Sequence, residues 1–509
     1  MAARSSPPPP PPSTSISSPN PSSSSYDLDK SSRPSTDMEA FQLLGLLLPK
    51  VPLVIRVAIM HILRLSAPAS YVDLRSELIV SITRSFLSTS RPWRITDTQK
   101  LSLRDPGIKG RIWVSTYASP VPPETGLRDA LLEAIDDLRD HDAPKPRFRI
   151  PDFAPVEAEW TGYRAKAERG EALPEISEVE KYRAMMDECS SPTTVMYLHG
   201  GAFYLCDPSS HRPTAKKLAK LTGGRTYSVR YRLAPQYPFP AALLDAFVSY
   251  MTLLYPPPDA YHDAVAPEHI VFAGDSAGGN LVFSLTALLL HLRKKGNPVF
   301  WHGELRDIPL PAAICGNSPW VDLTQSATMW EGDKQAPFDY LPRAAPTDWH
   351  RMPPCSIWPT EPYRDHIYVD NDLVAHPLVT VAMVDSWVEC PPVYICTGWE
   401  LLALEGRWLA QKLVKDGVTV VFEEYEAMPH TFALVLRSIP TSKKCYDSWS
   451  SFIRQAVQDP SKIETRATTL KAKTLEVVER RFEELCEIGE EQMRDSIRAQ
   501  AAGEVESKL

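Results

Sequence analysis

Gly274-Asp275-Ser276-Ala277-Gly278-Gly279-Asn280 is the most informative stretch of this sequence. Residues 268–273 before it are rich in apolar and β-branched side chains, as in a buried strand, and residues 281–292 form an apolar run typical of a buried helix. A serine placed as Gly-x-Ser-x-Gly between a strand and a helix sits on a sharp turn that exposes its hydroxyl. Glycine suits both flanking positions because a side chain there would clash where strand and helix come close. Ser276 is therefore a candidate nucleophile, with an ordinary glycine-rich turn as the alternative.

A second glycine-containing stretch offers donors for an oxyanion. Residues 193–198 have the composition of a buried strand and lead into His199-Gly200-Gly201-Ala202-Phe203. Glycines at the end of a strand allow backbone N–H groups to point into a site instead of into a hydrogen-bonded ladder. An ordinary turn at the end of a strand is the alternative. The Ser276 motif follows about 75 residues downstream, and that order favours the functional interpretation.

Candidates for the acid and the base follow in the order serine, acid, histidine. His430, one of 12 histidines, is the candidate base because it lies in a loop after the last strand pattern, where catalytic groups are often placed. Glu400 is the candidate acid because it stands at the carboxyl end of the short apolar strand predicted before it. Two alternatives stay open. Glu400 could serve only to begin the next helix, and Glu405 is a nearby rival for the acid.

Together these motifs resemble those of the hormone-sensitive-lipase family of α/β-hydrolases. Further segments are similar to family motifs, and the similarity covers about residues 190–440. These segments are 231–235, 238–242 with Asp245, 318–323 and 376–378.

The resemblance implies an α/β-hydrolase fold, with a mostly parallel central sheet flanked by helices and a helical cap formed by the N-terminal region and an insertion. It implies Ser276 as nucleophile, Glu400 as acid and His430 as base. The implied oxyanion donors are the N–H groups of Gly201, Ala202 and Ala277, and the supporting motif residues are His199, Gly200, Gly274, Asp275 and Gly278.

Two positions depart from the family pattern. Ala202 stands where the family has a third glycine, and a backbone donor tolerates alanine if its φ is allowed. Glu400 stands where the family usually has aspartate, for which glutamate is an accepted variant.

Bulk properties exclude some classes of function. The formal net charge of -8 gives no indication of nucleic-acid binding. No Cys-x-x-Cys pair and no His-Glu-x-x-His helix occurs, so no metal is indicated, and no cofactor is implied. Eight scattered cysteines permit disulfides without forming a dense disulfide scaffold. The absence of an Asn-x-Ser/Thr glycosylation site favours an intracellular protein, cytoplasmic or peripheral on a membrane or lipid surface.

The N-terminal part divides into two regions. Residues 1–37 contain 13 serines and 9 prolines, which predicts a disordered arm without a signal peptide. Residues 38–125 are predicted to be a helical, cap-forming region. Within them, residues 41–65 are apolar but interrupted by Lys50, Arg56 and Arg64, which disfavours a transmembrane helix. A helix lying on a membrane surface and a cap helix are equally compatible with this pattern.

The rest of the chain is assigned to a catalytic domain, 126–460, and a C-terminal region. Strands alternating with helices from 193 to 436 indicate a parallel sheet covered on both faces. The aromatic stretch 324–372 breaks this alternation and predicts a cap insertion with an apolar acyl or sterol pocket; a plain insertion is the alternative. Its large apolar residues include Trp330, Trp349, Met352 and Trp358. Apolar residues at three- and four-residue steps predict a charged amphipathic helix over 461–509.

The leading functional hypothesis is a carboxylic-ester hydrolase with a Ser-His-Glu triad. Its expected substrate is a small apolar ester, and deacetylation of a sterol-like or lipid ester is included. Amide or arylacetamide deacetylation and acyl transfer use the same triad and stay open. A small-molecule-binding protein that lacks catalysis is disfavoured because all three triad residues are present. The sequence leaves the oligomeric state undetermined.

Overall fold

The computed structural model describes residues 48–88, 92–296, 298–326, 337–341 and 352–503. The chain divides into two compact units, residues 1–53 and 54–509. In the first unit the described residues form a 3-10 turn, Leu48–Lys50, and the start of helix α1, Val51–Ile62. The predicted disordered arm, residues 1–37, lies outside the described residues.

Within the described part of the second unit, ten strands form one sheet in the order β1-β2-β4-β3-β5-β8-β9-β10-β11-β12. The seven strands from β4 to β11 in this order are parallel to one another, and β1, β2 and β12 pair antiparallel at the edges. A separate hairpin consists of β6 and β7. The strands are β1 Trp113–Ser119, β2 Val156–Gly162, β3 Thr194–Leu198, β4 Arg225–Val229, β5 Ile270–Asp275, β6 Val299–Trp301, β7 Glu304–Arg306, β8 Ala313–Asn317, β9 Val393–Gly398, β10 Val420–Tyr425, β11 Arg466–Leu470 and β12 Val477–Arg480.

Helices cover both faces of the sheet because its central strands are apolar on both sides. In β3, Met196 and Leu198 point into one core and Val195 and Tyr197 into the other. The remaining helices are α2 Leu74–Leu87, α3 Ile95–Ser102, α4 Gly126–Asp137, α5 Glu178–Asp187, α6 Pro208–Thr222, α7 Ala241–Leu254, α8 Ala277–Lys295, α9 Ala403–Lys415, α10 Phe432–Val435, α11 Pro440–Gln458 and α12 Glu490–Ala501. Helices α7 and α8 pack in the first core, and α6 and α11 pack in the second.

The predicted C-terminal helix over 461–509 is wrong for residues 466–480. These residues form β11 and β12, and β11 extends the parallel sheet next to β10. The β-branched pair Thr468 and Thr469 favours a strand, and positive φ angles at Lys473 and Leu475 permit the turn between the strands. Among the described residues of this region, Glu490–Ala501 form an α-helix, α12, with Met493 and Ile497 fully buried.

The boundary predicted at residue 125 also needs correction, because β1 belongs to the central sheet through its pairing with β2. Helices α2 and α3 contact loops at the carboxyl edge of the sheet. Arg84 of α2 donates to the carbonyl of Asp339, and Gln99 of α3 donates to the carbonyls of Tyr204 and Ala234. Helices α2 and α3 therefore lie beside the site described below, and the role of the N-terminal region as a cap stays a prediction.

Over the residues that the structure describes, no helix combines the length and the apolar character needed to cross a membrane.

Candidate active site

Ser276 stands on the sharp turn between β5 and α8. Its φ and ψ are 54° and -122°, a conformation that non-glycine residues rarely adopt. Two backbone hydrogen bonds fix the turn: the Ser276 N–H donates to the carbonyl of Asn317 at 3.0 Å, and the Trp320 N–H donates to the carbonyl of Ser276 at 3.1 Å. Neighbouring structure therefore holds the strained backbone that presents the serine.

The glycines of the turn are required by close packing, as the sequence predicted. A Cβ on Gly274 would lie 2.4 Å from the carbonyl oxygen of Gly278, and a Cβ on Gly278 would lie 2.1 Å from that of Leu198. The strand β5, the start of α8 and the end of β3 therefore meet without room for a methyl group.

The segment after β3 adopts an unusual backbone. Gly201, Ala202 and Phe203 all have positive φ, at 114°, 50° and 64°. Among the described residues, no acceptor takes a hydrogen bond from the N–H groups of Gly201, Ala202 or Ala277. Three backbone donors near the turn are therefore available to a ligand, and Ala202 occupies the left-handed conformation expected of the missing third glycine.

A buried polar network holds the segment after β3 in place. One carboxylate oxygen of Asp275 accepts the Tyr197 hydroxyl at 2.6 Å and the Gly200 N–H at 3.2 Å. The same oxygen lies 3.3 Å from Nε2 of His211. Burial favours the neutral form of Asp275, but the facing His211 and Tyr197 outweigh this effect and lower the pKa of Asp275. The motif residue Asp275 thus joins the Ser276 turn to the glycine segment.

His199 belongs to the same buried network. Its Nδ1 lies 2.8 Å from the carbonyl of Gly200, and its ring stacks on Tyr231 at 4.2 Å. Burial, followed by the neighbouring His211, lowers the pKa of His199 to about 4. A neutral, tightly packed His199 is suited to shaping the segment.

Glu400 and His430 form a buried acid–base pair. Glu400 follows β9 by two residues, His430 follows β10, and Nδ1 of His430 lies 2.5 Å from Oε2 of Glu400. The other oxygen of Glu400 accepts the Thr397 hydroxyl and the Gly398 N–H. Because Nδ1 is engaged by the carboxylate, Nε2 is the nitrogen left for chemistry.

The charges around this pair favour an ionised Glu400 and a basic His430. Burial acts against the charged form of each group. The charge of His430, with the hydroxyls of Thr397 and Ser318, outweighs burial and lowers the pKa of Glu400. The carboxylates of Glu400, Asp339 and Asp275 outweigh burial in turn and raise the pKa of His430. The imidazole is therefore a stronger base than a free histidine.

Residues 317 and 318, at the end of β8, connect the three sequence-predicted residues. The Asn317 carbonyl accepts the N–H of Ser276, and the Ser318 hydroxyl accepts the N–H of Thr431, next to the base, and helps to lower the pKa of Glu400. Since β8 lies between β5 and β9, the loops of the nucleophile, acid and base meet at one edge of the sheet.

Glu405, the rival acid, has a different position. It accepts the N–H groups of Val321 at 2.7 Å and Asp322 at 3.1 Å. Burial, followed by the charge of Asp322, raises the pKa of Glu405 well above its usual range. The carboxylate that meets His430 is Glu400.

Sequence reasoning missed Asp339, whose carboxylate accepts the N–H groups of His430 and Leu401. Nothing near it marks it as functional, because it lies 61 residues before Glu400 in the chain and in an aromatic insertion. In the same insertion, Tyr368 stacks on Phe203 with 3.7 Å between ring centres. The predicted pocket there stays a prediction, since Trp330 and Trp349 lie outside the described residues.

No group of ligating side chains within the described ranges is arranged to hold a metal ion. All eight cysteines are free. The buried thiol of Cys445 donates a hydrogen bond to Sγ of Cys396 at 3.8 Å, and no disulfide joins the two.

Comparisons with known proteins identify the family and the relatives of this chain. The family described as alpha/beta hydrolase fold matches residues 195–434. An acetyl-hydrolase of Streptomyces hygroscopicus is 31% identical over 264 residues, 52% of this chain and 76% of the relative. An esterase of Acinetobacter venetianus is 27% identical over 266 residues, with the same shares covered.

Among solved structures, the hormone-sensitive-lipase homologue EstE7 from a metagenome library has a TM-score of 0.50 and 21% identity. The match covers 76% of this chain and 100% of that one, and it shows a shared fold. The match to the alpha/beta hydrolase family spans every candidate site residue from His199 to His430. The chain therefore belongs to the hormone-sensitive-lipase-like family of α/β-hydrolases.

Proposed function

We propose that the chain hydrolyses carboxylic esters with Ser276 as nucleophile, His430 as base and Glu400 as the acid that orients the base. The ester-bond class agrees with relatives named acetyl-hydrolase, esterase and carboxylesterase. The observation that carries the triad is the 2.5 Å contact between His430 and Glu400, joined through Ser318 and Asn317 to the strained turn of Ser276.

The first half of the reaction forms an acyl-enzyme. Nε2 of His430 takes the hydroxyl proton as Ser276 Oγ attacks the ester carbonyl carbon. Glu400 holds the tautomer with the proton on Nδ1 and stabilises the imidazolium. The imidazolium then gives its proton to the departing alkoxide, and the alcohol leaves. In the second half, His430 activates a water molecule that releases the acid and restores Ser276.

The tetrahedral intermediates carry a negative oxygen that needs donors. The N–H groups of Gly201, Ala202 and Ala277 are assigned this role because they have no acceptor among the described residues. In comparable enzymes, one such donor contributes roughly 3–4 kcal/mol to lowering the barrier.

For the substrate we propose a small apolar ester with a short acyl group, including an acetylated lipid-like or sterol-like alcohol. The acetyl-hydrolase relative supports the short acyl group. Amide deacetylation and transfer of the acyl group to an alcohol use the same steps, and product analysis with an added alcohol distinguishes transfer from hydrolysis.

Hydrolysis of p-nitrophenyl esters from acetate to palmitate tests the proposal, with wild type compared to Ser276→Ala. We expect the highest kcat/KM at short chains and loss of turnover in the variant. A maximum at long chains would replace the short-acyl assignment with a lipase-like one. Turnover that persists in Ser276→Ala would refute the assignment of the triad.

We also propose that residues 55–65 bind an anionic lipid surface. Ile55, Ile59 and Ile62 follow one side of α1, and all three are more than half exposed, as are Leu63 and Leu65. The exposed cations Arg56 and Arg64 lie beside them, and apolar side chains flanked by arginine suit a helix at an anionic membrane surface.

Eight free cysteines fit a reducing, intracellular compartment.

Co-sedimentation with phosphatidylcholine vesicles, with and without phosphatidylserine, tests this surface. We expect the wild type to pellet with the anionic vesicles and the double variant Ile55→Glu/Ile59→Glu to stay in the supernatant. Phe300→Glu, at an exposed apolar residue of the β6–β7 hairpin, is the matched control and should pellet. Equal pelleting of the double variant and the wild type would refute the assignment.

A further inference from the structure

The buried carboxylate of Asp339 joins the two loops that carry Glu400 and His430. Its Oδ2 accepts the N–H of Leu401 at 2.8 Å, directly after the acid. Its Oδ1 accepts the N–H of His430 itself at 3.0 Å and that of Tyr340 at 2.7 Å. Asp339 is fully buried. A single side chain therefore fixes the backbone of the base relative to the backbone beside the acid.

We propose that Asp339 is a positioning residue of the hydrolase, which holds the base and acid loops in the geometry that places Nε2 of His430 for proton transfer. This role rests on the proposed function, because it has meaning only if His430 is the base. Glu400 orients the imidazole through its ring, whereas Asp339 acts through the backbone of the same residue.

Two residues of the N-terminal region, Arg84 and Tyr71, contact the segment that carries Asp339 and hold it in place. Arg84 of α2 donates from Nε to the carbonyl of Asp339 at 2.7 Å and from Nη2 to that of Pro337 at 3.1 Å. The ring of Phe338 packs edge-on against Tyr71, with 5.5 Å between ring centres. Because the two carbonyls are bound by one planar guanidinium, the carboxylate has a fixed support from which to act.

The same segment contacts the site at two further points. Phe338 packs against Trp399, the residue before the acid, with 5.2 Å between ring centres. The Tyr340 hydroxyl lies 2.9 Å from that of Thr431, and its ring lies 5.9 Å from the imidazole of His430. Contacts on both loops agree with a positioning role and distinguish Asp339 from a carboxylate that caps only its own turn.

Asp339 also adds negative charge beside the base. The charged groups that face His430 are Glu400, Asp339 and Asp275, and those that face Asp339 are His430, Glu400 and Arg84. Burial raises the pKa of Asp339, whereas the charge of His430 and the N–H donors of Leu401 and His430 act against this rise and favour the ionised form. Asp339 raises the pKa of His430, so neutralising Asp339 should let His430 lose its proton at a lower pH.

The test compares Asp339→Asn with Asp322→Asn in the full chain, using p-nitrophenyl acetate and the pH profile of kcat/KM. The asparagine keeps one acceptor and loses the charge, so we expect kcat/KM to fall about 10- to 100-fold. The fall in activity on the acid side should also move to lower pH. Asp322 is the matched control because it is equally buried and accepts the N–H groups of Thr324 and Ser326 in its own loop.

The control variant should leave the acid side of the profile unmoved, whatever its effect on stability. Wild-type kcat/KM in Asp339→Asn, an unmoved profile, or an equal movement in Asp322→Asn would overturn the proposal. If circular dichroism shows that Asp339→Asn does not fold, Arg84→Lys decides. Lysine keeps the charge but cannot span both carbonyls. A several-fold loss of kcat/KM in Arg84→Lys therefore supports the positioning role of Asp339, and wild-type kcat/KM overturns it. Activity in Ser276→Ala would instead refute the underlying triad.

Discussion

At the scale of single residues, the site depends on backbone conformations that a side chain resists. Ser276 and Ala202 both have positive φ, at 54° and 50°. The sequence identified Ser276 because its motif names the strained turn. It could not fix the φ of Ala202, since alanine in a loop is compatible with every allowed region.

Replacing Ala202 with glycine tests this strain. The left-handed conformation costs an alanine about 1–2 kcal/mol, and glycine loses roughly 0.5–1 kcal/mol through its greater freedom in the unfolded state. We expect Ala202→Gly to raise the free energy of unfolding by about 0.5–1 kcal/mol, with kcat/KM retained because the donor is a backbone N–H. Ala130→Gly, in helix α4, is the control and should destabilise. Destabilisation by Ala202→Gly would contradict the strain.

Glu400→Gln tests the identity of the acid. An amide cannot stabilise the imidazolium and favours the wrong tautomer, so kcat should fall about 10⁴-fold, as in other triads. Glu405→Gln is the matched control, since this buried carboxylate accepts N–H groups of residues 321 and 322. We expect its kcat to stay within about tenfold of the wild type. The reverse ranking of the two variants in steady-state kinetics would assign the acid to Glu405.

The raised pKa of His430 predicts the pH dependence of activity. The base acts only when it is neutral, so kcat/KM falls as the pH drops through the pKa of His430. Because Glu400, Asp339 and Asp275 raise that pKa above the 6.5 of a free histidine, the acid side of the profile should have its midpoint above pH 6.5. A midpoint at or below 6.5 with p-nitrophenyl acetate would contradict these charge interactions.

At the scale of secondary structure elements, the order of strands and helices was predictable where periodicity and glycine motifs agree. Strands β3 and β5 and helix α8 lie close to the predicted ranges 193–198, 268–273 and 281–292. The C-terminal region was not predictable in this way. The spacing of apolar residues over 463–470 fits a helix. These residues instead form a strand because they pair with β10, which is distant in the sequence.

One ion pair joins the loop after β4 to helix α7. The guanidinium of Arg232 donates from Nη2 to Oδ1 of Asp245 at 2.7 Å and from Nε to Oδ2 at 3.0 Å, and Asp245 is almost fully buried. Asp245→Ala leaves the partly buried Arg232 without its carboxylate partner, so the free energy of unfolding in urea should fall by about 3–5 kcal/mol. A loss below about 1 kcal/mol would mean that solvent replaces the contact.

At the scale of the whole molecule, the C-terminal residues complete the folded unit. Strand β11 covers the edge of β10, and Met493 of α12 has no exposed surface. We expect Met493→Ala to lower the free energy of unfolding by about 2–5 kcal/mol, whereas Gln492→Ala, an exposed neighbour on the same helix, changes it by less than about 0.5 kcal/mol. If the two variants had the same thermal stability, α12 would contribute nothing to the hydrophobic core.

The meeting of the loops that carry Ser276, Glu400 and His430 was predictable from the sequence, because each residue follows a strand pattern and parallel strands gather their carboxyl ends at one edge. Asp339 was not, since its role depends on a tertiary contact between an insertion and two loops. The local sequence around residue 339 carries no periodicity or motif that encodes that contact.

The most direct test of the central claim, that Ser276 is the nucleophile, is covalent labelling with a fluorophosphonate followed by mass spectrometry of the intact chain and its peptides. We predict one adduct per chain, located on the peptide that contains Ser276, absent in Ser276→Ala and strongly slowed in His430→Ala. An adduct on another residue, or labelling of Ser276→Ala at the wild-type rate, would contradict the account.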